Sequence, residues 1–255
     1  MNSIIPKSLP RTNEKVLEIL SSHNPWESRV LDLGAGEGYF SSLLSEKFLE
    51  KGIDRIAEHM SACDLFPQEF KFGQITCDFC DFNSSLPYSD NSFKAVCSIE
   101  VIEHLENIFH LMREVYRILQ PGGVAVITTP NILNMNSRLT TFITGFPLLY
   151  GPLPLFSHEP QDLGGHINPV SFYYLTYIAK RVGFKEIRIH TDRLKRSARL
   201  LALFLYPLIK IGEKILFRKM KRENKHIFED NFELISNINS FNILLGRTLI
   251  LEAIK

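Results

Sequence analysis

The chain has 255 residues, 45% of them hydrophobic and 22% charged, with a formal net charge of +1. That balance excludes a disordered chain, a collagen or coiled-coil rod and a disulfide scaffold, and it shows no chain-wide cation excess of the kind nucleic acid binders carry. The longest uncharged apolar run, Leu200 to Ile209, is far short of the ~20 residues that span a bilayer.

The opening stretch MNSIIPKSLPRTNEK lacks the apolar centre of a secretory leader, so a cytoplasmic protein is expected. Cys63, Cys77, Cys80 and Cys97 lie close together. Cys77 and Cys80 form a CxxC, but no second pair completes a zinc site, and reduced thiols are expected.

Taken in chain order, RVLDLG (29–34) predicts a strand. EGYFSSLLSEKFLEKG (37–52) predicts a helix, with Phe40, Leu43, Leu44 and Phe48 at helical spacing and Gly52 as its stop. Weaker strands are expected near 59–63 and over 72–77, and KAVCSI (94–99) is a stronger one. A helix over 107–119 puts Leu111, Val115, Ile118 and Leu119 on one face, and PGG (121–123) ends it. GVAVITT (123–129) reads as a buried strand. Such alternation implies a parallel sheet with helices on both faces.

The rhythm then breaks. Residues 132–170 are rich in Pro, Gly and aromatics without a clean period, and predict an ordered lid or insertion. A helix over 171–182, a strand over 185–191 and a final strand within 243–255 restore the pattern. The reading is one domain, with a core of 25–131, 164–191 and 243–255. Residues 193–225 stand apart as a basic segment. They hold eleven Lys and Arg against Glu213 and Glu223, a charge of +9 that leaves −8 for the rest. Pro207 predicts a break between two helices, 194–205 and 207–223. Leu208, Ile211 and Ile215 form an apolar stripe on the second, and Lys210, Lys214, Arg218 and Lys221 a basic one. This appendage suits either a packed helical cap or peripheral contact with the inner face of a membrane. The basic stripe of Lys210, Lys214, Arg218 and Lys221 includes no aromatic, which argues against nucleic acid.

VLDLGAGEGYF (30–40) places Gly34, Gly36 and Gly38 between a strand and a helix. Glycines there allow a tight turn and close approach of a ligand. The spacing departs from the GxGxxG of dinucleotide enzymes. Asp32 sits two residues before the first glycine, where a carboxylate can attract an ammonium group. Asp64 closes the second strand and can accept from ribose hydroxyls, with Glu58 as the alternative. Asp81 with Phe82 would offer an acceptor and an apolar ring to adenine, with Asp78 as the alternative.

Together, VLDLGAGEGYF, LPYSDNSFKAV, IEVIEHLEN and LMREVYRILQPGGVAVITTPN resemble the class I S-adenosylmethionine-dependent methyltransferases, in particular the broad group of ubiquinone-pathway and related small-molecule enzymes. The resemblance implies a Rossmann-like, seven-stranded, mostly parallel α/β sheet in the order 3-2-1-4-5-7-6, plus the inserted lid and the C-terminal helical appendage. It implies that Gly34 to Gly38 contact the methionine part of the cofactor, Asp64 the ribose, Asp81 and Phe82 the adenine, and that Glu100 faces the cofactor. Two residues depart from the pattern: Lys94 where Asp is common, and Ile108 where Pro often follows.

Methyl transfer to a hydroxyl requires loss of a proton, hence a base or a metal. Glu100, Glu103 and His104 form ExxEH, a spacing similar to that of metal-dependent ubiquinone O-methyltransferases and small-RNA 2′-O-methyltransferases, with His166 or His158 as a further candidate downstream. The expectation adopted is pocket-lining or general-base roles for His104 and His166, without metal. The acceptor expected is a small or lipid-linked molecule methylated at oxygen. The alternatives are an RNA 2′-O-methyltransferase and a non-enzymatic S-adenosylmethionine-binding protein.

Overall fold

A computed structural model describes residues 4–156 and 165–255. Seven strands form one sheet: β1 (Val30–Leu33), β2 (Met60–Asp64), β3 (Cys77–Phe79), β4 (Phe93–Ile99), β5 (Leu119–Pro130), β6 (Glu186–His190) and β7 (Thr248–Ile254). Their order is β3-β2-β1-β4-β5-β7-β6, as expected. β7 runs antiparallel to both β5 and β6, and the remaining neighbours are parallel.

The helices in chain order are α1 (Pro10–Ser22), α2 (Tyr39–Glu50), α3 (Ile56–His59), α4 (Ile108–Ile118), α5 (Met135–Thr144), α6 (Phe172–Val182), α7 (Arg196–Glu223), α8 (Lys225–Asn237) and α9 (Phe241–Leu245). Because side chains alternate along a strand, each central strand feeds two cores. Leu31, Val96, Ala125, Ile127 and Leu251 pack on one face beside Leu111 and Val115 of α4 and Leu175 and Ile178 of α6. Val30, Ala95, Cys97, Val124 and Ile250 pack on the other, beside Val16 and Leu20 of α1 and Phe40, Leu44 and Phe48 of α2. A third cluster joins Met135 of α5, Ala198 and Ala202 of α7 and Leu244 and Leu245 around α9. All four cysteines are free.

Three expectations need correction. The third strand lies at Cys77–Phe79 rather than 72–77, because Phe72 is committed to the core beside α2. Residues 132–170 are not a lid without helix, since α5 opens them. Asn134 caps that helix by accepting from the Ser137 amide, and Gly145 ends it at φ +81°. Only Met135 and Ser137 of α5 are buried, so no apolar period marks it. Finally, α7 is one 28-residue helix with Pro207 inside it, not two. The carbonyl that Pro207 cannot serve belongs to Leu203, on the exposed side of the helix, where water can satisfy it.

Candidate active site at the carboxyl ends of β1, β2, β4 and β5

The glycine turn is built as the spacing suggested. Gly34, Gly36 and Gly38 all have positive φ, at +83°, +53° and +91°. A Cβ on Gly34 would stand 2.2 Å from Val101 Cγ2, and one on Gly38 2.7 Å from Phe72 Cβ. Gly36 is open on its outer side apart from the Lys7 stem. The turn is pinned from β2: the Gly34 and Ala35 amides donate to the Cys63 carbonyl, and the Gly36 amide donates to Asp64 Oδ2 at 2.8 Å.

Asp32 is buried at the end of β1 and accepts from the Ser41 hydroxyl at 2.7 Å. Burial pushes its carboxyl up to about 7; the Ser41 bond opposes the rise and the Asp64 charge adds to it. Asp64 also accepts from the Phe66 amide at 2.9 Å. Each oxygen thus gives one acceptor site to backbone and keeps one for a ligand. Glu58 lies in α3, before β2 begins, and pairs with Arg55. That leaves Asp64 as the acid at the carboxyl end of β2.

Asp81 follows β3 and accepts from the Asn83 amide and the Ser84 hydroxyl. Its alternative, Asp78, sits within β3 and accepts from the Tyr88 hydroxyl at 2.9 Å. Phe82 departs from expectation. Its ring belongs to the core cluster with Cys80 and Leu86 and is 6% exposed, so it supports the loop more than it offers a face to a ligand.

Beyond β4 the chain turns sharply. Glu100 has φ +55°, a costly conformation for a side-chain-bearing residue. The Thr128 hydroxyl of β5 holds it twice, accepting from the Glu100 amide and donating to its carboxylate, both at 3.0 Å. Burial pushes this carboxyl up to about 7 as well. A short 3₁₀ turn, Ile102–His104, follows. The Glu103 carbonyl accepts from the amides of Ile167 and Asn168, and Asn168 donates to the Leu105 carbonyl, so the stretch after residue 164 is clamped to this turn.

That clamp brings together residues distant in sequence. His104 Nδ1 lies 3.0 Å from the Gly165 carbonyl. A carbonyl only accepts, so Nδ1 carries a proton, and in the neutral ring the lone pair is on Nε2. The His104 and His166 rings meet edge to face at 4.8 Å, and the Tyr150 ring lies 5.1 Å from His166. Burial, then the neighbouring His104, holds His166 below the usual imidazole range. Glu103 is fully buried, and its carboxylate has no hydrogen-bond partner among the described residues. Burial and the adjacent Glu100 push it well above the carboxylate range, and the Thr129 hydroxyl opposes this without reaching hydrogen-bond geometry. One donor atom from each of Glu103, His104 and His166 lies within 4.8 Å of the other two, close enough to share a cation. His158 lies outside the described residues. Thr128 and Thr129 were not anticipated, because only the fold brings them to the end of β4, whereas Tyr150 belongs to the lid expected within 132–170.

Residues 7–188 match the family described as a methyltransferase domain. The chain belongs to this family. Its sheet is that of the class I S-adenosylmethionine-dependent methyltransferases. An S-adenosylmethionine-dependent methyltransferase of Archaeoglobus fulgidus superposes with a TM-score of 0.55 at 19% identity, over 95% of this chain and 94% of that one. A phosphoethanolamine N-methyltransferase of Haemonchus contortus, bound to S-adenosyl-L-methionine, gives 0.51 at 20% identity, over 95% and 52%.

Curated relatives include a ubiquinone/menaquinone biosynthesis C-methyltransferase of Desulfotalea psychrophila, 28% identical over 51% of this chain and 54% of the relative. The mitochondrial ubiquinone biosynthesis O-methyltransferase of Mus musculus is 27% identical over 54% and 40%. The chain thus spans about half the length of these relatives.

The family implies S-adenosylmethionine as cofactor, and the residues present fit it. Gly34 and Gly38 let the turn close against Val101 and Phe72, and Gly36 leaves its outer side open for a ligand. Asp32 is a buried acid with no cation beside it among the described residues, and Asp64 retains free acceptor sites at the end of β2.

Proposed function

We propose that the chain transfers a methyl group from S-adenosylmethionine to a hydroxyl of a small-molecule or lipid-linked acceptor. When bound, the cofactor supplies an activated methyl group for in-line displacement. Gly34, Gly36 and Gly38 admit its methionine part, Asp64 takes the ribose, Asp81 the adenine edge, and Asp32, ionised, meets the ammonium. The observation that carries the oxygen reading is His104. Its Nδ1 is fixed by the Gly165 carbonyl, which leaves the Nε2 lone pair as a base for the acceptor's proton. His166, its pKa lowered by burial and by the neighbouring His104, lines the same pocket. The apolar residues of 146–156 suit a cover that excludes water from an apolar acceptor. An acceptor with an apolar tail would be met at a lipid surface, which the basic stretch 193–225 suits.

The test is His104→Ala. It should leave cofactor affinity intact and lower transfer by roughly 10²–10⁴-fold, the usual worth of a positioned base. Undiminished transfer would remove the general-base reading.

One observation favours a second reading. A buried carboxylate without a hydrogen-bond partner, next to two imidazoles, is the donor set of a divalent cation. Glu103, His104 and His166 would then hold the cation that acidifies the acceptor hydroxyl.

A further inference from the structure

α7 has two apolar faces. One carries Ala198, Ala202, Leu205 and Ile209 and packs into the cluster with Met135, Leu244 and Leu245. The other carries Leu200, Leu203, Phe204, Leu208, Ile211 and Ile215, all between 57% and 75% exposed. At 100° per residue these six fall on a single stripe opposite the packed face. An exposed stripe of this kind marks a surface with an occupant. α5, packed beside α7, adds the exposed Phe142 and Ile143.

Cations frame the stripe. Arg196 and Arg199 precede it, Lys214 lies at its end, and Arg218 and Arg222 follow it. Among the described residues no carboxylate lies within ion-pair distance of Arg196, Arg199, Lys214 or Arg218, whereas Lys210 pairs with Glu213 and Arg222 with Glu223. A cleft of about 950 Å³ opens where α7 begins, and Arg11, Arg193, Lys195, Arg196, Arg199 and Asn242 line it. The one acid there, Asp192, is engaged by the Thr12 hydroxyl and by the amides of Arg193 and Thr248. Burial, and then Arg247 and Arg193, lower the pKa of Lys195, and Asp192 opposes the shift.

Resting on the acceptor reading above, we propose that α7 lies in the plane of an anionic phospholipid surface. Leu200 to Ile215 sink into the acyl boundary, and the cleft at Arg11, Arg193, Lys195, Arg196 and Arg199 takes headgroup phosphate. Arg196 to Arg218 spans about 33 Å of helix at 1.5 Å per residue, a long contact for one element. No helix among the described residues is long and apolar enough to cross a membrane, so α7 lies on the surface. Charge selects lipid over a second copy of the chain. Two facing α7 helices would set cation against cation, with only Glu213 and Glu223 to answer them, whereas anionic headgroups complement the frame.

The test is sedimentation of the full chain with vesicles of neutral phosphatidylcholine or of phosphatidylcholine with phosphatidylglycerol. No acceptor is needed, so docking and acceptor chemistry fail separately. Anionic vesicles should bind at least about tenfold more tightly than neutral ones, and added salt should weaken the binding. Leu203→Ser, Phe204→Ser and Leu208→Ser together should cost about a hundredfold or more without lowering the melting temperature, since all three are exposed. Arg196→Gln with Arg199→Gln should cost about fivefold per cation. Equal binding to both vesicles, or an unaffected triple variant, would overturn the proposal. So would a concentration-dependent dimer in ultracentrifugation that the triple variant abolishes, since the stripe would then belong to a second copy. Titration with inorganic phosphate separates the two phosphate sources. Tight phosphate binding, with vesicle binding unchanged in the double variant, would assign the cleft to a free anion and contradict the headgroup site.

Discussion

Asp64 accepts a hydrogen bond from the Gly36 amide at 2.8 Å, tying the end of β2 to the middle of the glycine turn. One carboxylate thus shapes the turn and presents its remaining acceptor sites beside it. Asp64→Ala should therefore loosen the turn and remove the ribose acceptor together. Gly36→Val meets little protein but demands φ +53° of a β-branched residue and puts its side chain in the ligand's cradle. Each variant should weaken S-adenosylmethionine binding by at least about tenfold, or ~1.4 kcal/mol, in calorimetry. Wild-type affinity in both would contradict the placement of the cofactor.

Asp32 gives a pH signature of opposite sign to a paired surface acid. Burial raises its pKa from 3.8 to about 7, so the folded protein keeps a proton that the unfolded chain has lost. Its contribution to stability falls as pH climbs from about 4 toward 7, by up to about 1.4 kcal/mol per pH unit, and is level above 7. Denaturant titrations across this window should show a shallower slope in Asp32→Asn than in wild type. Cofactor affinity should rise with pH up to about 7 in wild type, because the ammonium requires the ionised acid, and that dependence should flatten in the variant.

Glu252 behaves the other way. Buried in β7, it accepts from Arg188 at 2.7 Å and lies 2.7 Å from His190 and 3.1 Å from His23. Burial alone would raise its pKa, but the hydrogen bonds from His190 and His23 overcome this and hold it below the usual 4.5. Its stabilisation is therefore complete above about pH 4.5 and is lost as pH falls through the lower folded value. Glu252→Ala should cost about 2–3 kcal/mol in denaturant titrations at pH 7, since it strips charge-assisted hydrogen bonds from three partners.

The general-base and cation readings separate under chelation. If His104 acts alone as base, removal of divalent cations leaves the transfer rate unchanged. Loss of activity that Mg²⁺ or Mn²⁺ restores, and that Glu103→Gln abolishes, would favour the cation reading.

Tyr150 probes the cover. Its ring is buried against His166, and its hydroxyl has no partner among the described residues. Tyr150→Ala should preserve cofactor affinity and lower transfer, because His166 loses the ring that positions it. Equal turnover in the two proteins would detach 146–156 from the reaction.

The glycine turn and the strand–helix alternation were legible because their signals are local, whereas the sheet order came only with the family resemblance. An apolar strand, three glycines and an amphipathic helix stand next to one another at 30–48. Asp64 was legible because a strand end fixes its own acid. The centre around His104 was legible only in part. Glu103 and His104 are adjacent, but Gly165, His166 and Tyr150 join them through backbone hydrogen bonds that no spacing encodes. Phe82 could be placed in the sequence but not its burial. The continuity of α7 through Pro207 depends on an exposed flank where an unpaired carbonyl is tolerated. α8 carries two buried residues, Leu234 and Ile235, and so leaves a weak trace.

The central claim is methyl transfer to a small or lipid-linked acceptor. It is tested most directly by incubating the enzyme and methyl-labelled S-adenosylmethionine with cell extract separated into lipid, small-molecule, RNA and protein fractions. Label should appear in the lipid or small-molecule fraction, as an alkali-stable methyl ether, and should vanish with His104→Ala. Label confined to RNA or protein, or no transfer to any fraction by a protein that binds the cofactor, would contradict the account.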